Sequence, residues 1–346
     1  MKTAAAILVE LGKPLEIAEL EIPALRAGQV LVEIAFAGIC HTQLSEARGE
    51  RGADPFLPHC LGHEATGSVL EIGPGVVKVK TGDRVVLSWI KDTGADIPGS
   101  VYRWGKRDVN AGAITTFQRH AVVSENRLTP LPEELGMKTA VLLGCALPTG
   151  MGAVVNTAAA HAGESIAIFG AGGVGLCAIL GAVAMECAPI VAVDPNPRRR
   201  ELAAAAGATH TIDPAQADPV AAIAGLIPSR ADIAIEATGI PSVMAQALDS
   251  VRPRGGRAVI IGNARRGEQL VLDPRAFNDG KRLLGCWGGD TIPSRDLPRF
   301  ADLIATGRVA VEPLLSPPVA LRQINEALLD LESGRVGRPF LDLSLA

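Results

Sequence analysis

A glycine-rich turn at residues 170–175 constrains this chain more than any other feature. Gly170, Gly172, Gly173, Val174 and Gly175 form GAGGVG, which follows the apolar run IAIF and opens a second apolar stretch. In this G-x-G-x-x-G arrangement the first glycine permits a tight turn from strand to helix. The second lets a pyrophosphate approach the backbone, and the third lets the helix pack closely on the strand. The helix N-terminus then offers N–H donors and positive potential. The next apolar run, IVAV, ends at Asp194, nineteen residues past Gly175. A carboxylate at that place accepts from ribose hydroxyls and repels a 2′-phosphate, so NAD is expected over NADP. Arg198, Arg199 and Arg200 pull the other way, as a basic patch that could hold such a phosphate.

Strands and helices alternate around this turn. Strands are expected at 166–170, 190–194, 209–212, 232–236 and 257–262, with helices at 174–186 and 198–206. That alternation predicts a parallel, doubly wound sheet. Ahead of Pro132 the pattern is different. Short apolar runs at 3–10, 29–37, 67–72, 84–90 and 117–123, punctuated by Gly and Pro, predict a barrel-like β domain. Helical windows fall at 133–143, 149–160, 296–306 and 321–333, and the closing GRPFLDL could return as a strand to the first domain. Lys91–Gly112 reads as a polar, Gly-rich loop with no element of its own. Ile166–Met185 has no charge over a length that could span a membrane, but its glycines make it a buried strand, turn and helix.

Composition narrows the function classes. A net charge of −4 leaves no electrostatic footprint for nucleic acid or an anionic membrane. Six scattered cysteines form no disulfide framework and read as free thiols or metal ligands in a reducing compartment. The N-terminal MKTAAAILVELGK meets Glu10 too soon for a secretory signal, so a cytoplasmic location is expected.

The stretch from Gly38 to Glu64 carries the metal chemistry. Cys40-His41-Thr42 ends an apolar strand-like run, and His63-Glu64 sits between apolar residues. A thiolate, an imidazole and a carboxylate suit zinc, and catalytic zinc sites keep one position open. Cys145, in LLGCALPTG, could complete the set or could be a small buried apolar residue. His59 lies four residues before His63, but Pro58 and Gly62 spoil a helix there, so His59 and Cys60 are expected to pack.

Taken together, GICHT, GHEATG, TGDRVVL, LLGCALPTGMGAVVNTA, GAGGVG, EATG at 236–239 and SGRVGR resemble the zinc-dependent alcohol dehydrogenases of the medium-chain dehydrogenase/reductase superfamily. The match covers nearly the whole chain. It implies a GroES-like β-rich catalytic domain at 1–146 and 290–346 and a Rossmann-type NAD-binding domain at 147–289. It makes Cys40, His63 and Cys145 the ligands of one catalytic zinc, with Glu64 beside them or as an alternate ligand. It also implies hydride transfer between an alcohol, held as an alkoxide, and NAD, giving an aldehyde or ketone. By the same resemblance Thr42 passes the alcohol proton, His41 and Arg338 contact pyrophosphate, Thr149 lies near the nicotinamide and Arg199 near the adenosine ribose. Trp89 and Leu57 would wall the substrate pocket, while Arg103, Lys106 and Arg107 could serve a polar substrate. A homodimer or homotetramer is expected.

Three departures from the family pattern stand out. Lys91–Gly112 has none of the clustered cysteines that hold a structural zinc in many relatives, so no second zinc is expected. Gln43 stands where the family has an Asp that orients the zinc histidine. Ser45 replaces a His that ends the proton path in some relatives. The rival readings are a zinc-free quinone or enoyl reductase of the same superfamily, and a non-catalytic nucleotide-binding protein with this fold.

Overall fold

The computed structural model describes residues 1–335 and 337–345; Val336, within the closing SGRVGR motif, and Ala346 lie outside the described residues. The chain divides into two compact units. The first comprises residues 1–145, 292–305 and 315–346, and the second residues 146–291 and 306–314. The short segment 306–314 thus belongs with the nucleotide-type unit, not with the terminal part of the chain where the sequence reading put it.

The first unit is built on β1 (Lys2–Leu8), β2 (Glu16–Glu21), β3 (Gln29–Gly38), α1 (His41–Ala47), β4 (His59–Cys60), β5 (Glu64–Ile72), β6 (Arg84–Ser88), β7 (Val101–Trp104), β8 (Arg107–Asn110), β9 (His120–Ser124), β10 (Leu128–Pro130) and α2 (Met137–Ala140). β1, β2, β7, β8 and β4 close a barrel, and β10-β6-β5-β3 form part of a second sheet in which β9 also pairs with β3. Two apolar cores follow from the strand alternation. One gathers Val30, Val32, Ile34, Leu87 and Phe117, and the other Ile7, Leu20, Leu31, Tyr102 and Val122.

The loop expected over Lys91–Gly112 is in fact half structured. β7 and β8 form an antiparallel hairpin about Gly105-Lys106, and β7 pairs with β2 while β8 pairs with β4. Tyr102 and Val109 face each other across the hairpin, both fully buried, and the Tyr102 hydroxyl accepts from the Val122 N–H at 2.7 Å. A buried aromatic with its oxygen satisfied fixes the hairpin against the barrel. The preceding loop is held by Glu125, whose carboxylate accepts from the Val77, Lys78 and Ala95 N–H groups.

The second unit contains α3 (Ala146–Gly152), β11 (Ile166–Phe169), α4 (Gly173–Ala184), β12 (Ile190–Val193), α5 (Pro197–Ala205), β13 (His210–Ile212), α6 (Pro219–Leu226), β14 (Ile233–Glu236), α7 (Pro241–Ser250), β15 (Arg257–Ile260), α8 (Arg275–Asn278) and β16 (Arg282–Gly285). Every pairing in its sheet is parallel, in the order β13-β12-β11-β14-β15-β16. IAIF, IVAV and IAIE are buried at every residue, as parallel strands covered on both faces must be. Pro at the first turn of α5, α6 and α7 starts each helix, with Asn196 and Asp218 capping the first two of these. The strand order reverses between β11 and β14, which is where doubly wound sheets bind ligands, outside the strand C-termini.

The chain then returns to the first unit through α9 (Pro293–Ala305) and α10 (Ile324–Glu332), and ends with β17 (Phe340–Asp342) antiparallel to β3. No single helix among the described residues is long and apolar enough to cross a membrane; Ile166–Met185 is β11, its turn and α4.

Candidate metal and nucleotide sites

Cys40 leaves the end of β3 and is at once the N-cap of α1. Gln43 Oε1 accepts from the Cys40 N–H at 3.0 Å, a reciprocal cap that fixes the cysteine's backbone. His63 precedes β5, after Gly62 at φ 94°, where an added Cβ would lie 2.3 Å from Thr116 Oγ1. Only glycine turns the chain there, and the turn delivers His63 beside Cys40. Cys145 follows a tight turn at Val141–Gly144, held where the Ser88 hydroxyl donates to the Gly144 carbonyl at 2.7 Å.

The result is one cluster. Ligand atoms of Cys40, His63 and Cys145 lie within 4.8 Å of one another, and His63 Nε2 is 3.2 Å from Cys145 Sγ. Bonds of about 2.0 Å from imidazole nitrogen and about 2.3 Å from sulfur to a single ion require spacings of this order. Among the described residues this is the one group of three or more such side chains that could hold a metal. The contact with Cys145 holds the Cys40 thiol well below its ordinary pKa against the opposing effect of burial, with Arg338 and His63 adding to it. The same contact pushes the Cys145 thiol up, and burial adds to that.

Glu64 is not in that cluster. It is fully buried and accepts from Arg338 Nη2. Burial pushes its carboxyl up and Arg338 pulls it back, leaving it above its ordinary value. Gly38 and Gly144 make room for it: a Cβ on either would come within 2.1 Å or 2.6 Å of Glu64 side-chain atoms. Arg338 reaches this point because β17 pairs with β3, setting Phe340 opposite Gly38, while Pro339 O accepts the Ile39 N–H at 3.0 Å. Burial works against its charge, but Glu64, Cys40 and Cys145 outweigh it and hold the guanidinium's pKa well above the usual value. Arg338 was read from the sequence as a pyrophosphate contact; it is 3% exposed and its Nη2 is committed to Glu64.

Gln43, the residue that stands where the family has an Asp, lies beside His63. Its amide nitrogen, not its oxygen, faces His63 Nδ1 at 2.5 Å, because the oxygen already serves the Cys40 N–H. Thr42 is half-buried and His41 exposed on the first turn of α1. Ser45 donates to Glu50 at 2.7 Å. Beside the cluster opens a cavity of about 650 Å³, bounded at one end by Thr42, Gln43 and His63. Leu57 and Trp89, expected as its walls, do not line it: Leu57 packs on the larger β core, and Trp89 is half-buried just past β6. Beyond Thr42, Gln43 and His63, the sequence reading gives no site role to any of the residues that do, among them Glu46, Arg51, Phe56, Val101, Ala111 and Ile114.

In the second unit Gly170 takes φ 92° between β11 and the Gly172 cap of α4, and a Cβ on Gly172 would have nothing within 4 Å. That open backbone is what an approaching diphosphate needs. Asp194, 2% exposed at the end of β12, accepts from the Ala171 and Asn196 N–H groups, each at 2.8 Å. Arg199 Nη1 lies 3.9 Å from Asp194 Oδ2, whereas Arg200 is turned away onto Asp213 and the Asp194 carbonyl. The Thr149 hydroxyl is buried and has no hydrogen-bond partner among the described residues.

Residues 26–133 match the alcohol dehydrogenase GroES-like domain, and residues 173–306 match the zinc-binding dehydrogenase family. An S-(hydroxymethyl)glutathione dehydrogenase of Synechocystis sp. is 32% identical, over 97% of this chain and 98% of that protein. The chain belongs to the zinc-dependent alcohol dehydrogenase family. A zinc-binding-domain alcohol dehydrogenase from Burkholderia ambifaria has the same fold at TM-score 0.91 and 30% identity. The benzyl alcohol dehydrogenase of Acinetobacter calcoaceticus does so at 0.90 and 29%, each comparison covering 99% of both chains. This dehydrogenase is therefore an oxidoreductase of the zinc type, and the zinc-free and non-catalytic readings give way.

Proposed function

We propose that this dehydrogenase oxidises an alcohol to its aldehyde or ketone, reversibly, with NAD and one zinc ion per chain. The first unit supplies the metal and substrate groups and the second the nucleotide groups. The observation that carries the reading is the meeting of Cys40, His63 and Cys145, far apart in sequence, within 4.8 Å. When bound, zinc supplies a Lewis acid that stabilises negative charge on the substrate oxygen, and NAD supplies the acceptor for hydride.

The chain's own residues do the rest. Cys40, His63 and Cys145 would hold the ion, and Gln43 fixes the cap from which Cys40 projects. Thr42, on the cavity wall, would take the alcohol proton on Oγ1 and pass its own onward. The α4 N-terminus would receive the pyrophosphate, Asp194 would accept from a ribose hydroxyl with Arg199 alongside, and Thr149 would meet the nicotinamide. The balance is one C–H and one O–H bond broken, one C=O formed, a hydride gained by NAD and a proton released. The preference for NAD is supported by Asp194, whose carboxylate would meet the ribose, while Arg200 is engaged with Asp213.

Six free cysteines fit a reducing cytoplasm, and β16 at the sheet edge, near the exposed Phe277 and Trp287, favours a homo-oligomer. Metal analysis with steady-state assays tests the core of the proposal. About one zinc per chain is expected, with alcohol oxidation faster with NAD than with NADP and abolished in Cys145→Ser. Absence of bound zinc, two zinc ions per chain, or an NADP preference would each refute the corresponding part.

A further inference from the structure

The cavity beside the metal cluster has a definite chemical character. Its volume of about 650 Å³ lies in the range that encloses ligands of drug size, and a two-carbon alcohol would leave most of it to water. Its walls include Ala53, Phe56, Leu61, Val101, Ala111 and Ile114. Most of its polar side chains are already occupied by the protein. Ser100 Oγ accepts from Gln29 Nε2 at 2.9 Å, Thr115 Oγ1 accepts from Gln118 Nε2 at 3.1 Å, and Asn110 Nδ2 donates to Phe56 O at 2.7 Å.

The charged groups are spoken for in the same way. Asp54 faces His59 Nε2 at 2.8 Å and accepts from the Phe56 N–H, while His59 Nδ1 lies 2.9 Å from Cys60 O. His63 belongs to the metal cluster. Among the described residues, what remains on the wall is one cation, Arg51, and one anion, Glu46, which nearly cancel as a field for a ligand. A glutathione adduct, whose carboxylates call for several cations, finds no such set here. An uncharged apolar body does find a matching surface.

We infer that this cavity takes the aryl or similarly bulky, uncharged body of the alcohol, and that the segment Gly99–Thr115, which includes β7 and β8, sets that preference. The inference rests on the proposed function for its reacting end, since Thr42 and His63 stand where the hydroxyl would be. The hairpin closes the barrel through Tyr102 and Val109 and at the same time presents Val101, Asn110 and Ala111 to the cavity. One short segment thus does both jobs.

Each methylene buried on such a wall is worth roughly fourfold in binding. The measurement is kcat/KM on the zinc-containing full chain, with whichever nicotinamide nucleotide it turns over, for ethanol, benzyl alcohol, cinnamyl alcohol and 4-(hydroxymethyl)benzoate. Cinnamyl alcohol is expected to exceed ethanol by about 100-fold, and the carboxylated substrate to fall about tenfold or more below benzyl alcohol. Val101→Trp or Ala53→Trp, each at an exposed position on the wall, should lower the cinnamyl-to-ethanol ratio about tenfold. A ratio is unmoved by a simple loss of folded protein. Equal rates for ethanol and cinnamyl alcohol, ratios unchanged in both variants, or a preference for the carboxylated substrate would overturn the inference while leaving alcohol oxidation intact. No turnover of any alcohol by zinc-loaded protein would instead sink the proposed function, and this inference with it.

Discussion

Arg338→Met removes the guanidinium that faces Glu64 and leaves a carboxylate with no exposure at all in its place. Taking one partner from a buried ion pair costs about 3–5 kcal/mol, because the surviving charge stays desolvated after its strongest counter-charge is gone. That corresponds to roughly a hundred- to several-thousandfold in the folding equilibrium of the first unit. A second substitution isolates the cause: Glu64→Gln in the Arg338→Met background removes the stranded charge, so the double variant should be more stable than Arg338→Met alone. The pH dependence has a definite sign. Burial already holds Glu64 above its ordinary pKa, so its ionisation works against the fold as pH rises through that raised value. Without Arg338 the raising is greater, and the deficit of the single variant should be larger at pH 8 than at pH 5. Two units imply more than one unfolding transition, so amide hydrogen exchange in β3 and β5 is the assay that reports this unit directly. A deficit below about 1 kcal/mol, the same deficit at both pH values, or a double variant as unstable as the sum of the singles would refute the reasoning.

Three further predictions follow from the same contacts. Gln43→Asp gives both the Cys40 N–H and an Nδ1–H of His63 an acceptor oxygen, where Gln43 now turns a donor toward the ring. Zinc loss to a chelator should therefore slow or weaken by about 10- to 100-fold, and an unchanged off-rate would count against that orienting role. Glu125→Gln puts a donor among the three N–H groups that now share a carboxylate, and should cost about 1–3 kcal/mol. The Glu125 carboxyl is held below its ordinary pKa by those backbone N–H groups despite opposing burial, so its contribution is lost as pH falls; a loss of similar size at pH 3 would contradict this. Burial pushes the Cys60 thiol up from its ordinary value to about 12, so stability should fall as pH climbs from about 9 toward 12. Cys60→Ala should flatten that alkaline limb in denaturant titrations, and an unchanged slope would reject Cys60 as a source.

The parts of the fold that follow one local rule were legible in the sequence. IAIF, GAGGVG and IVAV carry a burial pattern and a turn constraint within a few residues, and β11, α4 and β12 lie within about two residues of the expected bounds. The hairpin β7–β8 was not legible. Each of its strands has four residues, half of the eight charged or amide, and its buried signal is a single cross-strand pair, Tyr102 and Val109, that becomes apolar burial only inside a closed barrel. α1 was missed for a related reason. Seven residues make a marginal helix, and its cap is Cys40, one of the candidate metal ligands.

By itself the sequence determined which residue types were available for chemistry: two cysteines and a histidine that could ligate, a glycine turn for a diphosphate, and an aspartate at ribose distance. Those are properties of side chains and of short backbone stretches. Only the tertiary structure decided what each of them faces. Arg338 meets Glu64 because β17 pairs with β3, Gln43 turns its nitrogen to His63 because Cys40 claims its oxygen, and Leu57 and Trp89 leave the cavity to Val101, Ala111 and Ile114. A side chain's chemistry is fixed by its own atoms, but its partner is fixed by sheet register and barrel closure, which depend on residues a hundred or more positions away.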